Sequence, residues 1–318
     1  TDLTVLDYVM SGSVGEMEIA AGFQFRDESF SIKRGPESIA QFSADGSIAV
    51  PADLLFLGGG LDSKASRTAK AIFVEASNQV SDRLEVNGAL RYESLESDSS
   101  VNPKISARYE VSDELVLRAS LSTSFREASL AQLSSTTIGL QGIQDFDTNG
   151  DPVGGAAFIR IAQANNPNLA PEESDNTNIG LIWTPNDNFN LKFDYWAIDY
   201  TDLITIESAQ GKVAANPLDP DVKRTVDGTL TGVTTSYFNA SSVDTNGFDL
   251  EMTYDFDTSI GSAQVGLKSM HMLQYKIPLQ TGTTSDVVGL FNHDNFARSL
   301  PETKMVLHAG LELSLIHI

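Results

Sequence analysis

The chain has 318 residues, with 43 acidic against 21 basic side chains and a formal charge of −22, so a phosphate backbone would not find the clustered Lys and Arg it needs. Hydrophobic residues make up 41%, enough to fold and too much for a disordered acidic tail. No apolar run approaches the ~18 residues of a membrane-spanning helix, and the stretch Leu54 to Leu57, as long as any, stops at Gly58, Gly59 and Gly60; with no Cys there is no disulfide or thiolate chemistry. In chain order, a weak strand over 1–10 precedes the first clear one at 16–26. There Met17, Ile19, Ala21, Phe23 and Phe25 share one face, and Glu18, Gln24 and Arg26 the other. A weaker strand follows over 67–78, where Ile72, Phe73 and Val74 interrupt the alternation. The period of two returns at 84–93, 104–111, 115–122, 178–183, 189–196, 248–255 and 263–270, and a weaker strand over 303–313 ends the series. One face of each clear ribbon rejects charge. The other carries Glu85, Arg91, Lys104, Arg108, Asp249 and Glu251, a separation that a helix or a loop would scatter.

The connections alternate in length. Short links at 11–15, 79–82, 112–114, 185–188 and 257–261 are interleaved with a loop near 96–102 and long loops at 27–66, 126–175, 201–243 and 275–302. In an up-and-down meander this puts tight turns on one rim and large loops on the other, which is how an outer-membrane barrel is built. Tyr92, Tyr109, Phe125, Trp183, Phe189, Tyr195, Trp196, Tyr254 and Phe256 lie near strand ends, where an interfacial girdle belongs. A soluble sandwich also alternates. It would gather Phe23, Leu90, Leu117 and Phe193 into a dry centre and turn Arg91 and Asp194 outward.

Phrases in the sequence add a family likeness. Ala20-Ala21-Gly22-Phe23-Gln24-Phe25-Arg26, Leu84 to Glu93, Leu117 to Leu130 with its Ser122-Thr123-Ser124-Phe125-Arg126, Asn166-Pro167-Asn168-Leu169-Ala170-Pro171-Glu172-Glu173-Ser174, Asp194-Tyr195-Trp196-Ala197-Ile198-Asp199-Tyr200 and Asn246-Gly247-Phe248-Asp249-Leu250-Glu251 resemble, in order, strand phrases of TonB-dependent outer-membrane receptors. Ala128 stands where that family usually has Pro. The resemblance implies an all-β, antiparallel up-and-down transmembrane β-barrel. The strands here would be about eleven, half of a 22-stranded barrel normally closed by an N-terminal plug. It implies a receptor in a Gram-negative-type outer membrane that takes up a scarce extracellular ligand of siderophore, cobalamin or oligosaccharide type. Its partners would be outer-membrane lipid, a small-molecule ligand and the TonB energy-transducing complex, with no nucleic acid. The chain carries no plug or TonB-box-like segment and no basic-then-apolar leader, so we expect a partial barrel over 1–312, and the adapter-like 313–318 is expected to be a non-native tail. A passive porin-like channel, or a soluble all-β adhesin or carbohydrate-binding module, is the alternative.

Motifs for chemistry are sparse. Asp145, Asp147, Asn149 and Asp151, with Gly150 at the sixth position, reproduce the first half of a calcium loop, but the twelfth position is Ala156 instead of Glu. The other reading is a solvated turn. Glu172 and Glu173 are adjacent in an extended segment, point opposite ways and read as a charged loop face, not a proton-sharing pair. Gly58-Gly59-Gly60 lacks the spacing of a phosphate cradle, and His271, His293, His308 and His317 are scattered. No nucleophile motif is present, so we expect no enzyme and no cofactor. Arg91, Arg108, Arg118, Glu85 and Asp249 would either solvate the inner wall or face a plug.

Overall fold

The computed structural model describes residues 1–50, 59–95, 98–278, 284–290 and 300–313. Alternating apolar and polar residues build a wall of eleven antiparallel strands, each paired with its neighbours in sequence. These are β1 (Asp2–Val14), β2 (Met17–Ile32), β3 (Ser63–Ser81), β4 (Leu84–Ser94), β5 (Ser99–Ser112) and β6 (Leu115–Arg126). The wall continues with β7 (Glu172–Asn186), β8 (Phe189–Ile206), β9 (Leu230–Thr258), β10 (Gly261–Pro278) and β11 (Thr303–Leu313). Tight turns such as Gly15-Glu16, where Gly15 takes a φ of 65°, gather on one rim. The long connections gather on the other. Among the described residues β1 and β11 do not pair, so the wall is an open segment of barrel. The strand Thr303–Leu313 carries the first residue of the expected tail, since Leu313 pairs with Gly261; residues 314–318 lie outside the described residues.

The ladders fix which side chains share a face. Phe23 sits beside Ile72, Ile72 beside Tyr92, and Leu117 beside Leu181 and then Phe193 and Leu250, so the apolar positions form one continuous surface. That surface is open. Phe23, Leu90 and Leu117 keep 44%, 46% and 43% of their area, which no dry core would allow. Arg91 and Asp194 lie on the opposite face. A hollow on that opposite face touches β1 to β5 at Ser11, Glu18, Glu75, Asn87 and Lys104, so the sheet curls toward its ionic side.

Several strands outrun their hydrophobic pattern. β3 has 19 residues and β9 has 29, because the hydrogen-bond ladder needs only backbone groups and continues past the stretch in which one face is free of charge. Phe73, which interrupts the alternation in β3, lies on the ionic face with its ring against Gly22, which has no Cβ to obstruct it.

The long loops are not irregular. Residues 127–171 hold a helix, Leu130–Ser134, capped by Ser129 and Gln132, and a hairpin of Thr137–Phe146 with Pro152–Ala164. Residues 207–229 hold a helix, Ala209–Ala215, and the strand Val222–Arg224, which pairs with the start of β9. Gly59 and Gly60, expected only to break a loop, pair with Ile138 and Thr137; Gly58 lies outside the described residues. Together they make a second sheet at the long-loop rim, from Gly59–Gly60 through the hairpin to a parallel pairing of Arg160–Ala164 with Gly232–Ser236 of β9. Its core is dry: Ile143, Ile159, Ile161, Val213, Val222 and Val233 are all buried.

Candidate ligand-gathering surface

Along the concave face several charges are organised in pairs, some within a strand and some across strands. Arg91 of β4 donates to Glu93 at 2.6 Å and to Gln24 of β2 at 2.8 Å; Gln24 in turn donates to Asp7 of β1. Arg26 reaches the same Glu93 at 3.0 Å. Arg118 of β6 bridges to Asp194 of β8 across β7, and the residue between them is Gly180. A Cβ at Gly180 would collide with the Asp194 carboxylate, so the bridge depends on that glycine. Lys192 and Lys268 flank Glu251 at 3.8 and 3.1 Å. Such a wall is polar and part of its charge is matched, while among the described residues Glu75, Lys104 and Asp249, the last beside Asp194, form no ion pair.

Toward the long-loop rim the same face becomes aromatic. A concavity of about 670 Å³ is lined by Trp196 and Tyr200 of β8, Met272 and Tyr275 of β10, and the ion pair of Arg126 with Glu172. Glu172 is not the solvated loop residue the sequence suggests. It begins β7, is buried, and accepts from Arg126 Nη2 at 2.6 Å and from the Ile204 amide at 2.7 Å, just after Asp202 kinks β8 at a φ of 54°. Glu173 does point the other way, into solvent.

One girdle position differs from the sequence expectation, and Tyr275, at the start of an expected loop, lies in a strand. Trp196 follows Tyr195 directly, so the pleat turns it inward beside Gly247, away from the outer girdle that Tyr92, Tyr109, Trp183, Phe189, Tyr195 and Tyr254 share. Tyr275 reaches the concavity because a bulge between Asn246/Gly247 and Gln274/Met272 inserts Leu273 and reverses the parity of β10. A bulge is set by the partner strand, and the local sequence carries no sign of it.

The four residues of the half calcium loop occupy the tip of the rim hairpin. Asp145 is engaged by both terminal nitrogens of Arg224 at 2.8 and 2.6 Å, and these bonds hold its carboxyl below the usual carboxylate range. Asp147 accepts from the amides of Asn149 and Asp151, closing the turn in which Gly150 has a φ of 86°. Asn149 and Asp151 thus meet Asp147 through the turn's backbone. Among the described residues no cluster of three or more His, Cys, Asp or Glu is placed to hold a metal. Ala128, where the resembled family has Pro, is buried with its carbonyl accepting from Arg67 at 2.5 Å.

The family model for the TonB dependent receptor-like β-barrel matches residues 3–310. This chain belongs to that family. Of the solved structures similar to this TonB-dependent receptor barrel, a double mutant of the ferric enterobactin receptor PfeA from Pseudomonas aeruginosa superimposes with a TM-score of 0.62 at 15% identity, over 95% of this chain and 38% of that one. The siderophore receptor PirA from Acinetobacter baumannii gives 0.58 at 16% identity, over 90% and 38%. PirA from Pseudomonas aeruginosa gives 0.56 at 15%, over 98% and 51%. At these identities the likeness is one of fold, and the chain spans 38% to 51% of the length of those receptors. No curated protein matches the chain.

Proposed function

We propose that this receptor barrel sits in an outer membrane, takes up a scarce small-molecule ligand of the siderophore type from outside the cell, and draws the energy for release through TonB. The observation that carries the reading is the opposition of the two faces: a continuous exposed apolar surface suited to hydrocarbon, backed by a concave surface of paired ions suited to water. The long-loop rim is then extracellular. Its dry-cored sheet and the aromatic concavity below give a structured collecting surface where a simple diffusion pore needs only an opening. The siderophore class is favoured by the names of the similar structures, receptors for ferric enterobactin and other siderophores.

The test is accumulation of radioactive iron, supplied as ferric enterobactin, by cells producing the protein. Accumulation that a protonophore abolishes is the expected result. Accumulation indifferent to the protonophore would describe a passive channel, and surface binding with no accumulation an adhesin.

A further inference from the structure

Three asparagines in the chain are followed directly by glycine: Asn87–Gly88, Asn149–Gly150 and Asn246–Gly247. A glycine has no side chain to shield its own amide nitrogen, so that nitrogen can close on the Cγ of a preceding asparagine as an intramolecular nucleophile. By sequence the three pairs are alike. The fold separates them.

Two of the pairs are held in the wall. Asn87 and Gly88 lie inside β4, with Ser77 and Ala76 of β3 on one side and Ser106 and Ile105 of β5 on the other. Asn87 also donates through Nδ2 to Glu85 Oε1 at 3.1 Å. Asn246 and Gly247 lie inside β9, opposite Ala197 and Trp196 of β8. Gly247 is buried, and a Cβ added there would come within 2.5 Å of the His271 carbonyl and 2.7 Å of the Trp196 ring, so little space remains for a new ring. In an extended strand the side chain stands off the sheet, away from the next amide nitrogen, and leaving that conformation breaks ladder bonds to both neighbours. Closure at these two pairs therefore waits for local opening of the wall.

Asn149 and Gly150 stand in neither strand of the rim hairpin, but in the turn between Thr137–Phe146 and Pro152–Ala164. Every residue from Thr148 to Phe158 is exposed. Nothing lies within 4 Å of the place where a Cβ would sit on Gly150. What restrains the pair is Asp147. Its Oδ1 accepts from the amides of Asn149 and Asp151 at 2.8 and 2.9 Å, its Oδ2 accepts from Asn149 Nδ2 at 3.3 Å, and its carbonyl accepts from the Gly150 amide at 3.1 Å. The last bond occupies the nucleophile. The one from Nδ2 holds the side chain that the nucleophile would attack.

We propose that Asn149 is a site of self-modification and that Asp147 sets its rate. The Gly150 nitrogen gives its proton to solvent and bonds to Asn149 Cγ; the Cγ–Nδ2 bond breaks, and the side-chain nitrogen leaves as ammonia. The product is a cyclic imide, which water opens. Opening at Cγ gives aspartate, while opening at the main-chain carbonyl gives isoaspartate, in which the chain runs through Cβ. Overall, one water is consumed and one ammonia released, with no redox change. Either product sets a new carboxylate between Asp147 and Asp151, and isoaspartate also lengthens the turn. The test is peptide mass spectrometry on the detergent-solubilised chain in mildly alkaline buffer, with isoaspartate read by an isoaspartyl methyltransferase. Conversion at Asn149 is expected to be about tenfold faster than at Asn87 or Asn246, and the three rates should converge when the chain is unfolded in urea. Similar rates at the three sites in the folded protein overturn the assignment. Asp147→Ala removes the three bonds accepted by the carboxylate and should raise the Asn149 rate about fivefold, with the slow rates at Asn87 and Asn246 reporting that the wall remains folded. An unchanged Asn149 rate in that variant overturns the role of Asp147.

Discussion

Leu250 and Glu251 are neighbours in β9 with opposite duties. Leu250 lies between Phe193 and Ser269 on the apolar surface; Glu251 lies between Lys192 and Lys268 on the ionic one. An arginine facing hydrocarbon near the midplane costs roughly 2–4 kcal/mol, while the concave face is wet and tolerates a changed charge. Leu250→Arg should therefore lower the amount of folded protein recovered from outer-membrane fractions severalfold, and Glu251→Gln should leave it near the parental level. Equal losses would mean that the faces are assigned the wrong way round. Both duties are legible at single residues, because in a strand every second side chain shares a face and so a common environment. Glu172 is different. Its sequence context, between Pro171 and Glu173, suggests a surface loop, and only the hydrogen bonds that its carboxylate accepts from Arg126 and from the Ile204 amide make it a buried anchor.

At the scale of elements, β9 serves two sheets, as the partner of β8 and β10 in the wall and of the hairpin at the rim. The rim sheet is closed at its far end by Arg224 of the Val222–Arg224 strand, which grips Asp145. Because those bonds hold the Asp145 carboxyl low, their contribution is complete above the ordinary carboxylate pKa of about 3.9 and is lost as pH falls through the lower value of the folded state. Hydrogen-exchange protection of Thr137–Phe146 and Pro152–Ala164, corrected for intrinsic rates, should fall about tenfold when pH is lowered from about 5 to about 2.5. In Asp145→Asn the protection should be low at both. A parental drop retained in that variant would place the acid sensitivity elsewhere. The hairpin itself was hidden in the sequence, since Gly142, Gly154 and Gly155 interrupt its alternation and its buried face is covered by a helix more than forty residues away in the chain.

For the molecule as a whole, the exposed apolar surface predicts behaviour in solution. Membranes from producing cells should retain the protein through high salt and carbonate washing and release it only to detergent. Release into buffer without detergent would exclude hydrocarbon as the environment of Phe23, Leu90 and Leu117. The sequence by itself determined the eleven strands, their order, the rim on which the long connections lie and the face that excludes charge, because each follows from a period of two and from connection length. Only the tertiary structure decided that the long connections fold into a second sheet, that Trp196 and Tyr275 line a concavity, and that Glu127 bridges to β2 and β3. Those features depend on curvature, on one bulge and on contacts between residues far apart in the chain, and no local pattern of side chains encodes any of the three.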